Sequence, residues 1–395
     1  MTNYKKTIFL TAAAVILCIC GIFMPQGTAP AEDNSNPTAE FSSEDAGKYL
    51  TLSAAIYSPD TFDDYMRKAG FENYTFAERE QTPQYGSGVA FALACKESTL
   101  YAIIRGSVGC EWYSNFDIGN GESHTGFLSA ADYVCERIRM YRTENFGTED
   151  NLSLVMTGHS RGGAVANLAA KNFIDSADFE GVTAYTFASP NTTTRKDASL
   201  EKYSTIFNIE NPEDFICSIP PEGWGYTKYG KILKFPAVTY ERYEELYPEM
   251  QEKFLAITGY EHRGFQHGSA DTEGFIKELE VLSPTVRDYY TKRLHSPVGD
   301  ITLYEYMNKT ATMLCGENTI RDGMFILTSS FEGDFAPLAS FMLSGLGGGA
   351  PSQSDIMKSA VGCAHTPETY MAWLSVAEES GYFPFSVSNT EILNE

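Results

Sequence analysis

The sequence is poor in positive charge and lacks paired cysteine motifs, and these shortages exclude several classes of protein. Only 29 of its 395 residues are lysine or arginine, against 52 acidic residues. Phosphate backbones and anionic membranes attract basic surfaces, so we expect neither as an electrostatic partner. The eight cysteines form no C-x-x-C pair, which argues against a zinc site. We predict no metal and no organic cofactor.

Long apolar runs are scarce as well, and the one at the N-terminus has the character of an export signal. Two lysines precede an apolar run over residues 8–24, and an A-x-A cleavage site follows at 29–31. We therefore predict a signal peptide over 1–31, a flexible polar tether over 32–43, and a secreted or cell-surface protein. An uncleaved membrane anchor is the alternative, because the run is close to the length of a short membrane-spanning helix.

The chain does contain a G-x-S-x-G sequence between a strand pattern and a helix pattern. Residues 152–156 are rich in apolar side chains, and residues 164–169 place small apolar side chains at helical spacing. A serine on a tight turn between a strand and a helix is a nucleophile elbow, so Ser160 is predicted as a nucleophile. The flanking glycines leave room for the turn. A purely structural turn is the alternative.

Other local patterns outline the rest of the chain. Residues 44–70 read as helical, and residues 88–95 and 99–104 read as a hairpin. Two further strands are predicted at 205–209 and 231–237. The remaining helices are predicted at 240–257, 273–282, 285–295 and 303–314, and after Thr366, which is placed to cap a helix that begins with proline.

Five motifs around the elbow are specific when they are taken together. They occur in the order Arg105-Gly106-Ser107, then Trp112 with Asn115-Phe116-Asp117, then His124-Thr125-Gly126-Phe127, then the elbow, then Tyr185-Thr186-Phe187-Ala188-Ser189-Pro190. This series resembles the class 3 lipase family of α/β-hydrolases over about residues 88–221. The resemblance implies an α/β fold with a mostly parallel central sheet flanked by helices, and with a helical insertion or cap. The chain departs from the family at Arg161, where leucine is frequent, and at Ala188, where glycine is frequent.

The resemblance also implies roles for other residues. Ser107 and the backbone N–H of Arg161 would form an oxyanion hole, since donors on two loops can converge on one oxygen. Asp214 matches the family's acid, which is followed closely by an apolar residue and a proline. Glu210 and Glu213 are rivals with less suitable spacing. A buried carboxylate at this place would orient a histidine.

The histidine of such a triad is the least determined member. The order serine, acid, histidine removes His124 and His159, which we interpret as structural. His365 is favoured, because it is predicted on a short loop just before a helix and H-x-P-E-x-Y resembles the family's segment near the C-terminus. His267, with its neighbour His262, is the alternative at a separation typical of compact members. His295 has no supporting motif.

These predictions combine into one expected protein. The core would span 44–237 and 355–395, with a helical insertion over 238–354 that either lines a substrate path or packs as a plain layer. The expected activity is hydrolysis of acylglycerols or related carboxylic esters through an acyl-enzyme, with possible contact at a lipid interface. The alternatives are a short-chain or feruloyl-type carboxylesterase, and a non-catalytic surface binding module on the same scaffold.

Overall fold

The structure is a computed structural model that describes most of the predicted core. The described residues are 40–79, 88–108, 111, 114–115, 118–119, 121–146, 151–220, 222, 225–264, 293–296, 299–302 and 360–382. The predicted signal peptide, Trp112, Asp117, His267 and the helices predicted at 273–282 and 303–314 lie outside these residues. All described residues belong to one unit, Thr38–Glu395.

A seven-stranded sheet forms the centre of the described chain, with its strands in sequence order from one edge to the other. The strands are β1 (Tyr74–Arg79), β2 (Val89–Lys96), β3 (Thr99–Ile104), β4 (Ser153–His159), β5 (Gly181–Phe187), β6 (Ile206–Glu210) and β7 (Lys231–Lys234). β1, β2 and β3 pair antiparallel, and β3 to β7 pair parallel. The predicted hairpin of β2 and β3 and the predicted α/β fold class are confirmed.

The helices cover both faces of this sheet. They are α1 (Ser43–Ala55), α2 (Pro59–Lys68), α3 (Thr125–Phe146), α4 (Arg161–Ser176), α5 (Tyr243–Thr258), α6 (Ala360–His365) and α7 (Pro367–Ser380). One core joins α1, α2, α5 and α7 to one face, and the other joins α3 and α4 to the opposite face. Because both faces are covered, β2 and β4 are buried along most of their length rather than at every second residue.

The first helix is anchored before its first turn. The Ser42 side chain accepts a hydrogen bond from Asp45 N at 3.1 Å, and Glu44 and Asp45 favour the positive end of the helix dipole. The ring of Phe41 lies 5.7 Å from that of Phe207 on β6. The last residues of the predicted tether, beginning with Phe41, therefore already pack against the sheet.

The parallel arrangement decides where loops meet. Ile104 pairs with Gly158 and His159 pairs with Phe187, so the carboxyl ends of β3, β4 and β5 lie side by side. β6 ends at the same edge with Glu210. Ligands of open α/β sheets bind beyond the carboxyl ends of their strands, so this edge is the candidate site.

Three predictions need correction. The helix predicted over 285–295 is wrong at its end, since Arg293–Ser296 is a strand, β8, paired antiparallel with β9 (Gly299–Thr302). His365 is not on a loop but is the last residue of α6. The backbone of Thr366 is extended (φ −67°, ψ 143°) because a residue before proline avoids the helical region. The side chain of Thr366 bonds to the Glu368 carboxylate and not to the helix backbone.

Helix α5, which lies within the predicted insertion, packs in the core. Its stripe of Tyr243, Leu246, Met250 and Phe254 is buried, and the ring of Tyr243 lies 6.3 Å from that of Trp373 on α7. This contact is ordinary packing, which was one of the two readings of the insertion. No helix in the described part of the chain has the length and apolar character of a membrane span.

Candidate active site

Ser160 lies on a strained turn between β4 and α4. Its backbone has φ 58° and ψ −131°, a region that residues with a side chain rarely adopt. A Cβ on Gly158 would collide with the backbone of Gly162, and one on Gly162 would collide with the carbonyl of Ile104. Both glycines of the G-x-S-x-G pattern are therefore required by close backbone contact. Ser160 N donates to Phe187 O at 2.8 Å, which holds the turn on β5.

Three predicted residues from distant parts of the chain meet at this turn. His365 Nε2 lies 2.9 Å from Ser160 Oγ, and His365 Nδ1 lies 2.9 Å from Asp214 Oδ2 and 3.1 Å from Oδ1. All three residues are buried, with exposed fractions of 8% for Ser160, 5% for His365 and 2% for Asp214. The structure thus brings together the predicted nucleophile, acid and favoured histidine.

The partners determine which nitrogen of His365 carries hydrogen. A carboxylate only accepts, so Nδ1–H donates to Asp214, and Nε2 is left to accept the hydroxyl hydrogen of Ser160. In this tautomer a serine can lose its proton to the ring while the carboxylate stabilises the imidazolium that forms. The arrangement is chemically suited to nucleophilic attack by Ser160.

Further donors hold the Asp214 carboxylate in place. Tyr370 donates its hydroxyl to Oδ2 at 2.7 Å, and Ile216 N donates to Oδ1 at 3.0 Å. The thiol of Cys217 lies 3.6 Å from Oδ2. Burial, and next the Asp214 charge, raise the pKa of Tyr370 well above its usual range, so this hydroxyl stays a donor. The H-x-P-E-x-Y pattern included Tyr370 but did not indicate this contact.

The rival carboxylates have other partners. Glu210 forms a buried ion pair with Lys228. Glu213 accepts a hydrogen bond from the Tyr243 hydroxyl at 2.8 Å, and burial raises the pKa of the Glu213 carboxyl. Neither of these described contacts involves His365.

The other histidines differ in placement. His262 is buried beside the Tyr247 hydroxyl, at 3.2 Å from Nδ1, and burial lowers its pKa to about 4. His295 belongs to β8, and His267 lies outside the described residues. His124 donates from Nε2 to Asn115 O at 3.1 Å, and burial lowers its pKa to about 3. His124 therefore holds the loop after β3, in the structural position expected for it.

Ser107 is oriented by the side chain of Asn115, for which the sequence motifs predict no role. Asn115 Nδ2 donates to Ser107 Oγ at 2.9 Å. Since the Ser107 oxygen accepts this bond, its own hydrogen remains available to another acceptor. The loop that carries Ser107 and the start of α4 touch, because Gly162 packs on the carbonyls of Ile104 and Arg105. The only sequence signal for Asn115 was its place in the second of the five motifs.

Arg161 supplies more than a backbone N–H at this place. Its side chain is buried and contacts the loop after β3, where Nε donates to Ser114 Oγ at 3.0 Å. Burial lowers its pKa to about 10, and the nearby Glu111 carboxylate opposes this shift. The guanidinium therefore stays charged at neutral pH. The substitution of arginine for the family's frequent leucine joins the elbow to the loop of Ser107.

The alanine at position 188 has a strained backbone conformation. Ala188 has φ 52°, in the left-handed region that glycine occupies without strain. The residue follows β5 and its N–H donates to Ile209 O at 3.2 Å. The turn therefore keeps the conformation that the family's frequent glycine would favour.

A mostly parallel sheet with a serine elbow after a central strand defines the α/β-hydrolase class of fold. Comparison with known proteins narrows this class. Residues 99–224 match the model of the family described as lipase (class 3), and the match includes the elbow and Asp214. The resemblance inferred from the motifs is thereby confirmed for the segment that carries the elbow.

Individual relatives are distant and match only part of the chain. The "Secreted mono- and diacylglycerol lipase 1" of Fusarium solani is 30% identical over 153 residues, which cover 36% of this chain and 44% of that protein. Among solved structures, a lipase from Rhizopus microsporus var. chinensis is 16% identical with a TM-score of 0.40, covering 54% of this chain and 84% of that one. Lipase II from Rhizopus niveus is 17% identical with a TM-score of 0.40, covering 49% and 80%.

Proposed function

We propose that this protein is a serine ester hydrolase of lipase type, acting on acylglycerols or related carboxylic esters. The observation that carries the proposal is the hydrogen-bonded line from Ser160 through His365 to Asp214 on a strained elbow. Strain that the surrounding structure maintains is characteristic of functional sites. The name of the Fusarium solani relative, which is a mono- and diacylglycerol lipase, supports the substrate class.

The reaction follows from the roles of these atoms. Ser160 Oγ attacks the ester carbonyl while His365 Nε2 takes its proton, and Asp214 stabilises the imidazolium. The backbone N–H of Arg161 and the N–H and hydroxyl of Ser107 stabilise the oxyanion. The C–O bond to the alcohol then breaks, and His365 returns the proton to the leaving alkoxide. Water, deprotonated by the same histidine, hydrolyses the acyl-enzyme and regenerates Ser160.

A serine-directed probe tests the catalytic assignment. We expect a fluorophosphonate to label Ser160 in the folded protein, and Ser160→Ala to lose both labelling and hydrolysis of p-nitrophenyl esters. Ser176→Ala, at the exposed far end of the same helix, is the matched control and should retain both. Equal activity of the Ser160→Ala variant would refute the proposal, and absence of labelling in active-site-intact protein would favour a binding module.

Ester chain length tests the substrate class. Hydrolysis rates on p-nitrophenyl esters of increasing acyl length should rise beyond short chains and increase further with emulsified substrate. A maximum at the shortest esters, without activation at an interface, would instead favour a short-chain carboxylesterase.

We also propose that the protein is exported, with contact at a lipid interface as the setting of its reaction. The apolar run over 8–24 supports export, and the Fusarium solani relative is named as secreted. Mass spectrometry of the native protein should find an N-terminus near residue 32. A full-length product in the cytoplasm would contradict this.

A further inference from the structure

We propose that His159, the residue before the nucleophile, is a positioning residue that holds the main chain of His365 in place through a hydrogen bond, and that Tyr57 selects the tautomer of His159 that makes this bond. His159 Nε2 lies 2.7 Å from His365 O, and Tyr57 Oη lies 3.3 Å from His159 Nδ1. This inference rests on the proposed function, because it concerns the same site.

The position of His365 at a helix end explains why such a contact is needed. His365 ends α6, and the last carbonyls of a helix lack donors within that helix. Thr366 then turns into extended backbone. His159 supplies a donor to the carbonyl of the residue whose ring must reach Ser160. The centroids of the two imidazole rings lie 4.9 Å apart. A shift of the His159 backbone would therefore also displace the His365 ring.

The partners of His159 leave only one tautomer. The His365 carbonyl only accepts, so Nε2 of His159 must carry the hydrogen. Nδ1 then has a free lone pair and accepts the hydroxyl hydrogen of Tyr57. Burial, and next the charge of His365, lower the pKa of His159 well below its usual range, so the ring is neutral. A neutral ring does not oppose the positive charge that His365 gains during the reaction.

Tyr57 links His159 and His365 to the loop after β3 that carries Ser107. It follows α1 and is half-buried, and its hydroxyl packs directly against Gly106. A Cβ on Gly106 would collide with this hydroxyl and would come within 2.8 Å of His159 O. One tyrosine thus joins the Ser107 loop, the elbow and the His365 segment. None of these contacts requires Tyr57 or His159 to reach a substrate.

Single substitutions separate the hydrogen bond from the volume of the ring. His159→Leu removes the donor at similar size, whereas His159→Gln keeps an amide donor near the position of Nε2. Tyr57→Phe removes only the hydroxyl that selects the tautomer. Tyr203→Phe is the matched control, because it removes a buried tyrosine hydroxyl that bonds to Asp175 near the far end of α4. Each variant is assayed on a soluble p-nitrophenyl ester for kcat and KM, and by proton NMR for the low-field His365 Nδ1–H signal.

We expect His159→Leu to lower kcat by about 10- to 100-fold with KM changed by less than about twofold, because misplacing a reacting group by about 1 Å can cost about 100-fold in rate. The low-field signal should broaden or vanish, and His159→Gln should recover most of both. Tyr57→Phe should lower kcat by a smaller factor with KM unchanged, and Tyr203→Phe should match the unsubstituted protein.

The inference is overturned if folded His159→Leu keeps its kcat, or if His159→Gln loses as much as His159→Leu. If His159→Leu does not fold, Tyr57→Phe decides, and an unchanged kcat and NMR signal in that variant overturn the inference. Ser160→Ala separates the two claims. Hydrolysis that survives Ser160→Ala refutes the proposed function, whereas normal His159 variants beside an inactive Ser160→Ala refute only the positioning role.

Discussion

Removing the hydroxyl of Tyr370 should weaken the fold far more than removing a comparable hydroxyl elsewhere. Tyr370 is fully buried, donates to Asp214 Oδ2 at 2.7 Å and accepts from Asn211 N at 3.1 Å. A hydrogen bond to a charged group contributes about 1.5–3 kcal/mol, and a buried N–H left without an acceptor costs about 1–3 kcal/mol. Because the two effects share one site, we expect Tyr370→Phe to lower the free energy of unfolding by about 2–4 kcal/mol.

The activity of this variant should fall much less than the loss of the acid itself. The Asp214 carboxylate keeps its bonds to His365 Nδ1 and Ile216 N in the Tyr370→Phe variant. The aromatic ring that remains at this position keeps its edge contact with Phe235, whose centroid lies 5.7 Å away. We expect kcat to fall about 10-fold for Tyr370→Phe, against about 10⁴-fold for Asp214→Asn, which disturbs the tautomer of His365.

Denaturant unfolding followed by tryptophan fluorescence measures the stability, and ester hydrolysis measures kcat. Tyr203→Phe is the control, since Tyr203 also donates to an aspartate, at 3.0 Å. Its partner Asp175 is partly exposed and keeps ion pairs with Lys171 and Lys202, so we expect a loss below about 1 kcal/mol. If Tyr370→Phe and Tyr203→Phe lost equal unfolding free energy, burial of the carboxylate would not be the cause of the larger loss predicted for Tyr370→Phe.

Three further predictions concern other parts of the structure. His365→Ala should reduce kcat by at least about 10³-fold, whereas His267→Ala should leave it nearly unchanged; the reverse result would move the base to His267. His262 has its pKa lowered to about 4 from a reference near 6.5, so the unfolded chain binds more protons between these values and stability falls as pH falls through that window. Denaturant unfolding at pH 7.5 and pH 5 should therefore show a drop that is about 2 kcal/mol smaller in His262→Gln, and an identical drop would contradict the assigned burial. Phe254→Ala should destabilise the protein by about 3–5 kcal/mol while leaving the ester chain-length preference unchanged, because Phe254 is buried in the core; a shifted preference would place α5 on a substrate path.

The elements that were predicted correctly are those that depend on interactions between residues close together in the sequence. The elbow could be recognised because a strand, a tight turn and a helix follow one another, and the turn needs glycine at positions 158 and 162. The hairpin of β2 and β3 and the start of α7 at a proline likewise depend on neighbouring residues. The end of α6 at His365 was misjudged, because a single turn of helix has too few positions to show a period.

The choice among histidines needed the folded chain. His365 is 205 residues from Ser160 and 151 from Asp214, and its contact with them depends on how α6 and α7 return to the sheet. A base is defined by distance to a hydroxyl, and spacing along the chain does not report that distance. The same holds for Asn115 beside Ser107 and for Tyr57 beside His159, since no local pattern assigns a partner to either side chain.

The sequence by itself determined the candidate nucleophile, the class of fold and the order in which the candidate site residues occur. Each follows from short motifs and from the apolar pattern of strands and helices. Only the tertiary structure decided which histidine faces Ser160, which donors hold Asp214, and how Arg161 joins two loops. The physical reason is that hydrogen bonds act over about 3 Å in space, whereas a motif constrains only residues that are near in the chain.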